Sequence, residues 1–248
     1  MDAHSSTFNR KSKDYSLYRP KYPREVYAFI NEQCASHHCA WDSSCGNGQV
    51  AIDLVPYFSR IEASDLYENQ IRHAFRHEKI HYSVQDSEKT NFDDHCFDAA
   101  CIAQAIHWLD LERYFREVGR VLKRNGLFAC WGYGFFHITP ALDEVIENCL
   151  LRKIKPYWSE KSRLLHDGYN TIAFPFERIK TPQIEFTEKW SLHQLLAYLS
   201  TWSAVKLHQH HEAFDLLKEL EEQLLNQWGT RERREINIDF FFHAGRNS

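Results

Sequence analysis

Cys39-Ala40-Trp41-Asp42-Ser43-Ser44-Cys45-Gly46-Asn47-Gly48-Gln49 is the stretch on which the fold turns. An apolar run ends in a tight loop of small residues, and Ala51, Leu54, Val55 and Phe58 then share one helical face. Strand, small-residue loop and helix in that order are how an α/β sheet seats a nucleotide-like cofactor. Glycine lets the backbone turn sharply and approach a ligand, while the next helix presents the free N–H groups of its first turn.

The same alternation continues on both sides. Arg60 to Asp65 reads as a short strand ending in an acid, Ile71, Ala74 and Phe75 as the inward face of a helix, and His81 to Val84 as a weak third strand. Phe97 to Ala103 is the clearest central strand. Leu111, Tyr114, Phe115, Val118, Val121 and Leu122 mark a helix that stops near Asn125-Gly126, before a fifth strand over Leu127 to Trp131. Such alternation predicts a parallel sheet covered by helices on both faces, with ligands bound beyond the carboxyl ends of the strands.

Upstream, the prolines of Tyr18-Arg19-Pro20-Lys21-Tyr22-Pro23 delay the first helix until Arg24 to Gln33. Thr139-Pro140 opens a later helix whose inward side is Leu142, Val145, Ile146, Cys149 and Leu150. From Arg152 to Pro182 the periodicity fades, and this aromatic, basic stretch reads as a lid or substrate-side insertion. A strand near Ile184 to Trp190, a helix carrying Leu192, Leu195, Leu196 and Leu199, a longer helix from about Glu212 to Trp228, and an alternating strand over Ile236, Ile238, Phe240 and Phe242 complete the chain.

A chain of 248 residues suits one large α/β domain with an insertion better than two independent domains. We read 1–248 as a single domain with an N-terminal cap segment over 1–36 and the insertion over about 132–182. A formal charge of −4 gives no general polyanion-binding signal, so nucleic acid is not an expected partner. Seven scattered cysteines without a C-x-x-C pair point to buried thiols in a reducing compartment rather than to disulfides or zinc. The N-terminus lacks a hydrophobic signal core and no apolar run is long enough to cross a bilayer, so a cytoplasmic location is expected, with no membrane partner. His208, His210 and His211 lack a complementing carboxylate or cysteine, and read as a solvated patch rather than a metal site.

Gly46-Asn47-Gly48-Gln49-Val50-Ala51 fits G-x-G-x-x-A after a strand, and Asp65 follows Gly48 by 17 residues at the end of the next strand. A carboxylate there accepts from two ribose hydroxyls, whether the nucleoside belongs to NAD or to S-adenosylmethionine. Asp65 would equally suit a helix N-cap, and Asp86 a solvated turn. Together these features identify an adenosine-type ligand and leave the reaction open, an NAD-dependent oxidoreductase included.

In its full form, Asp42-Ser43-Ser44-Cys45-Gly46-Asn47-Gly48 resembles the D-x-G-x-G-x-G motif of the class I S-adenosylmethionine-dependent methyltransferases. Asp86-Ser87 lies where this family carries an acid for the adenine amino group. Ala103-Gln104-Ala105-Ile106-His107-Trp108, with Tyr18 to Pro23 and Tyr198 to Ser203, is similar to the trans-aconitate methyltransferase-like subgroup. The resemblance implies a Rossmann-like fold: a mostly parallel, seven-stranded sheet with an antiparallel final strand. It also implies S-adenosylmethionine as methyl donor and a small-molecule acceptor, with a carboxylate oxygen as its target in that subgroup.

Carried over by position, the cofactor contacts would be Asp42, Ser43, Ser44, Gly46 and Gly48 for the methionine part, Asp65 for the ribose, Leu66 for one adenine face, and Asp86 with Ser87 for the adenine edge. Gln104 would also lie at the cofactor, and Tyr18 and Arg19 at its carboxylate. His107 is the candidate catalytic residue, holding an ionised acceptor or taking a proton from a neutral one, and Trp131 and Tyr133 would line the acceptor pocket. Ser44 departs from the family by replacing the first loop glycine. If that position requires a positive φ, serine carries a cost, which keeps open a catalytically idle methyltransferase-like binding protein.

Overall fold

The computed structural model describes residues 18–212 and 214–248, so residues 1–17 of the N-terminal cap segment lie outside the described residues. The described residues form two compact units, the first comprising residues 18–20, Gly134–Arg163 and Glu185–Asp239, the second Lys21–Tyr133, Leu164–Ile184 and Phe240–Ser248.

The second unit carries helix α1 (Arg24–Gln33), strand β1 (Cys39–Ser43), α2 (Gln49–Leu54), β2 (Arg60–Asp65), α3 (Glu68–Arg72), β3 (Ile80–Val84), β4 (Phe97–Ala103) and α4 (Leu111–Val121). Strands β5 (Leu122–His137) and β8 (Arg234–Arg246) each begin in one unit and end in the other, and β6 (Glu177–Ile179) lies in the second. The strand order is β3-β2-β1-β4-β5-β8-β6. β2 and β4 flank β1 in parallel, β3 and β5 continue that direction, and β6 is antiparallel to β8.

Burial on both faces explains the apolar runs of the central strands. Trp41 is fully buried, stacks on Phe97 at 5.9 Å between centroids, and donates its indole N–H to Ser64 Oγ at 2.9 Å. At the amino end of the sheet Asp98 accepts from the backbone of His38 and Cys39 and from Lys123 Nζ at 2.8, 2.9 and 2.7 Å. α4 is fixed by its Asp110 N-cap and by the buried stripe Tyr114, Phe115, Val118 and Val121. It ends at Val121 rather than near Asn125-Gly126. Leu122 is already extended and pairs with Phe97, and Asn125 turns the chain at φ +61°. Phe75, expected on an inward face, is 46% exposed, because α3 ends at Arg72 before its side chain can share the helical face.

The first unit contains α5 (Pro140–Ile146), β7 (Phe186–Trp190), α7 (Leu192–Ser200), α8 (Ser203–His211) and α9 (Leu216–Trp228), while α6 (Ser162–His166) straddles the division between the units. β7 pairs antiparallel with Arg234–Ile238 of β8, so β8 serves two partners in succession. This adds an eighth strand to the seven that lie side by side. An aromatic cluster joins Trp190, Tyr198 and Trp202, with centroids 5.0 and 5.7 Å apart, and the Arg19 guanidinium lies 5.9 Å from the Tyr198 ring.

The stretch 152–182 contains regular structure. α5 continues through a π-helical turn at Glu147–Leu151 into Arg152–Ile154, and the i→i+5 turn shifts the phase of the apolar positions, which is why a 3.6-residue period fades there. The histidine patch also needs correction. α8 buries His208, whose ring sits 5.3 Å from that of Tyr157, while His210 and His211 are exposed.

Candidate functional site

Parallel register brings the carboxyl ends of β1, β2, β3 and β4 to one edge, level with the middle of β5. Ser83, Ser64, Ser43, Ile102 and Cys130 form one row across β3, β2, β1, β4 and β5, so the residues just beyond them share a rim. Asp65, Ser44 and Gln104 belong to that rim by register alone.

The loop after β1 passes through the left-handed region three times, at Ser44 (φ +52°), Gly46 (φ +56°) and Gly48 (φ +79°). Gly48 is the N-cap of α2, and a Cβ there would stand 2.1 Å from Tyr82 Oη. A Cβ at Gly46 would meet nothing within 4 Å, so the backbone borders open space at that point. Ser44 adopts the conformation that glycine would supply, and its hydroxyl lies 3.0 Å from Ser87 Oγ. Left-handed geometry costs a non-glycine residue about 1–2 kcal/mol, of the same order as a hydrogen bond's net 0.5–1.5, so the tether offsets the strain.

Two acids brace this loop. Asp42, buried beneath it, accepts from Ala51 N at 2.9 Å, and burial pushes its carboxyl well above the usual range. Asp65 accepts from Gly46 N at 2.9 Å through Oδ2 and from Tyr67 N at 2.8 Å through Oδ1. Burial raises its pKa too, against the pull of those two donors. A carboxylate offers about four acceptor positions, so two bonds leave acceptor capacity on Asp65. Leu66, next in sequence, is 58% exposed. Asp86 Oδ1 accepts from Glu88 N at 2.9 Å in a tight turn, and Ser87 is buried beside Ser44. Cys45 is held far from thiolate formation by burial, which fits a filler rather than a nucleophile.

At the end of β4, Gln104 turns at φ +54° and is bracketed by β5. Its N–H donates to Trp131 O at 3.0 Å and its Nε2 to Tyr133 O at 2.8 Å. Gln104 Oε1 is buried without a hydrogen-bond partner among the described residues. This turn leads into a 3₁₀ segment, Ile106–Trp108, which holds His107 at 4% exposure with Nδ1 2.8 Å from Tyr169 Oη.

Trp131 has no exposure, and its ring is packed edge-on against Tyr22, Tyr27 and Phe242. It is placed as core. Tyr133 is also buried, 6.0 Å from Tyr22. Tyr18 and Arg19 belong to the first unit and the other site residues to the second. Sequence reasoning missed Tyr82, which closes over Gly48, and Tyr169, which holds His107. Tyr82 reads only as one position of a weak strand, whereas Gly168-Tyr169 carries a turn glycine as a signal. Among the described residues, no cluster of His, Cys, Asp and Glu could hold a metal ion, and no helix is long and apolar enough to cross a membrane.

A family profile described as the methyltransferase domain matches residues 41–130, which span β1 to β5 and include the loop, both acids and His107. A solved structure from Anaeromyxobacter dehalogenans, described as a type II methyltransferase, is 34% identical and superposes with a TM-score of 0.85 over 92% of this chain and 98% of that one. A Dictyostelium discoideum protein named as a methyltransferase is 28% identical over 95% of this chain and 91% of its own length. A Saccharomyces cerevisiae protein named as S-adenosylmethionine-dependent is also 28% identical, over 50% of this chain and 46% of its own.

Proposed function

Because this chain belongs to the class I S-adenosylmethionine-dependent methyltransferases, we propose that its rim of strand ends seats that cofactor and presents it to a small-molecule acceptor. When bound, the cofactor supplies a methyl group on a sulfonium, ready for in-line displacement. The chain contributes alignment, exclusion of water and electrostatics.

The observation that carries the assignment is Asp65, buried and doubly bonded to the backbone at the end of β2, with acceptor capacity left for ribose hydroxyls. Gly46 borders open space and, with Ser44 and Gly48, would hold the methionine part, above Asp42 and Ser43. Exposed Leu66 would cover one adenine face, and Asp86 with Ser87 would meet its edge. The unsatisfied Oε1 of Gln104 faces the requirement of a donor, which the cofactor's ammonium would meet. For Tyr18 and Arg19, the role toward the cofactor carboxylate rests on the sequence resemblance alone.

As in the trans-aconitate methyltransferase-like subgroup, we take the acceptor oxygen to belong to a carboxylate, with His107 at the acceptor and Tyr133 in the wall behind it. Trp131 supports that wall from the core. A carboxylate needs no base; it needs a donor or cation to hold its charge. Calorimetric titration with S-adenosylmethionine, S-adenosylhomocysteine and NAD tests the seat, and a screen of small acids with methyl-labelled donor tests the acceptor. Binding of NAD alone would overturn the seat, and labelling of neutral alcohols or amines but no acid would overturn the carboxylate reading.

A further inference from the structure

Tyr169 stands out among the residues of the second unit. It is fully buried, yet its backbone has φ +60°, directly after Gly168 at φ +64°. A left-handed conformation in a bulky aromatic residue costs about 1–2 kcal/mol and persists only where the surroundings over-determine it. They do so here. Tyr169 N donates to Leu164 O at 2.9 Å, its ring meets Phe241 edge-on at 4.8 Å, and His243 Nε2 donates to Gly168 O at 2.7 Å. Burial lowers the pKa of His243, which keeps that imidazole neutral beside the turn. All of this delivers the phenol hydroxyl to His107 Nδ1 at 2.8 Å.

A phenol is a stronger acid than a neutral imidazole N–H, and an imidazole nitrogen is a stronger base than a phenol oxygen. The favoured arrangement has Tyr169 O–H donating and Nδ1 accepting, which leaves the ring proton of neutral His107 on Nε2. We infer that Tyr169 is a positioning residue that locks His107 in its Nε2–H form, so that His107 meets the methyl acceptor as a hydrogen-bond donor and not as a base. This rests on the reading above that His107 stands at the acceptor. It matches a transfer in which no proton moves: an ionised acceptor oxygen supplies the electron pair of the new O–C bond, the C–S pair stays on sulfur, and the two charges cancel.

Long-range ¹H–¹⁵N correlation of histidine-labelled protein tests this without any acceptor, with the His107 signals identified by their loss in His107→Gln. A pyridine-type shift at Nδ1 and a pyrrole-type shift at Nε2 are expected in the wild type, and a mixture of tautomers in Tyr169→Phe, which keeps the ring. A protonated Nδ1 in the wild type, or a His107 pattern unchanged in Tyr169→Phe, overturns the inference. Methyl labelling of the small acids by His107→Gln separates the two readings: a rate equal to the wild type's counts against His107 at the acceptor, whereas the tautomer is read without any acceptor.

Discussion

Gly46→Ala and Gly48→Ala make the same chemical change two residues apart in one loop, and the structure assigns them different costs. Both positions have positive φ, at +56° and +79°, so each alanine carries about 1–2 kcal/mol of left-handed strain. Reduced freedom of the unfolded chain returns about 0.4–1 kcal/mol in each case. Gly46 has nothing within 4 Å of an added Cβ, which leaves a net cost near 1 kcal/mol. At Gly48 the Cβ would lie 2.1 Å from Tyr82 Oη and 2.9 Å from Cζ, so the ring itself must swing away. That movement breaks the bond from Tyr82 Oη to Phe75 O at 2.7 Å, about 0.5–1.5 kcal/mol, and lifts the ring from under the Arg76 guanidinium at 5.3 Å, about 0.5–1 more. The expected cost of Gly48→Ala is therefore about 2–3.5 kcal/mol. Urea unfolding monitored by tryptophan fluorescence, with m-values compared, measures both variants. Repeating Gly48→Ala in a Tyr82→Ala background should recover about 1–2 kcal/mol of coupling. Equal costs at the two glycines, or strict additivity with Tyr82→Ala, would refute the reasoning.

Ser44→Ala keeps the strained backbone and loses the bond to Ser87, so it should cost about 1 kcal/mol, while Ser44→Gly, which also relieves the strain, should stay within about 1 kcal/mol of the wild type; a denaturation midpoint unchanged in Ser44→Ala would show that the hydroxyl tether contributes nothing. Asp65 has a folded-state pKa above its unfolded value, so its burial favours the protonated form and its contribution to stability improves as pH falls through the window between the two. Ribose hydroxyls donating to Asp65 favour the ionised form instead. S-adenosylhomocysteine binding should therefore release protons and weaken as pH falls through the free protein's Asp65 pKa, as read by calorimetry in buffers of different ionisation enthalpy. Asp65→Asn should abolish that linkage and weaken binding about ten-fold or more; persistence of the linkage in the variant would assign it to another group.

The sequence by itself determined the order of elements from β1 to β5, because buried parallel strands and amphipathic helices leave unmistakable apolar patterns. It also named the loop and the acids, since glycine and carboxylate at fixed intervals after strands are local signals. Tertiary structure alone decided how these residues are used. Asp65 braces Gly46 because parallel register sets the end of β2 beside the end of β1, and nothing within β2 encodes that neighbour. Trp131 and Phe75 exchanged expected places, one packed into the core and the other exposed, because burial depends on what covers a residue and not on its hydrophobicity. Tyr169 meets His107 across 62 residues of chain, a contact made by a left-handed turn whose strain no local pattern records. Ser44 shows both sides at once. Its departure from glycine is visible in the sequence, but only the fold sets Ser87 within reach to offset the cost.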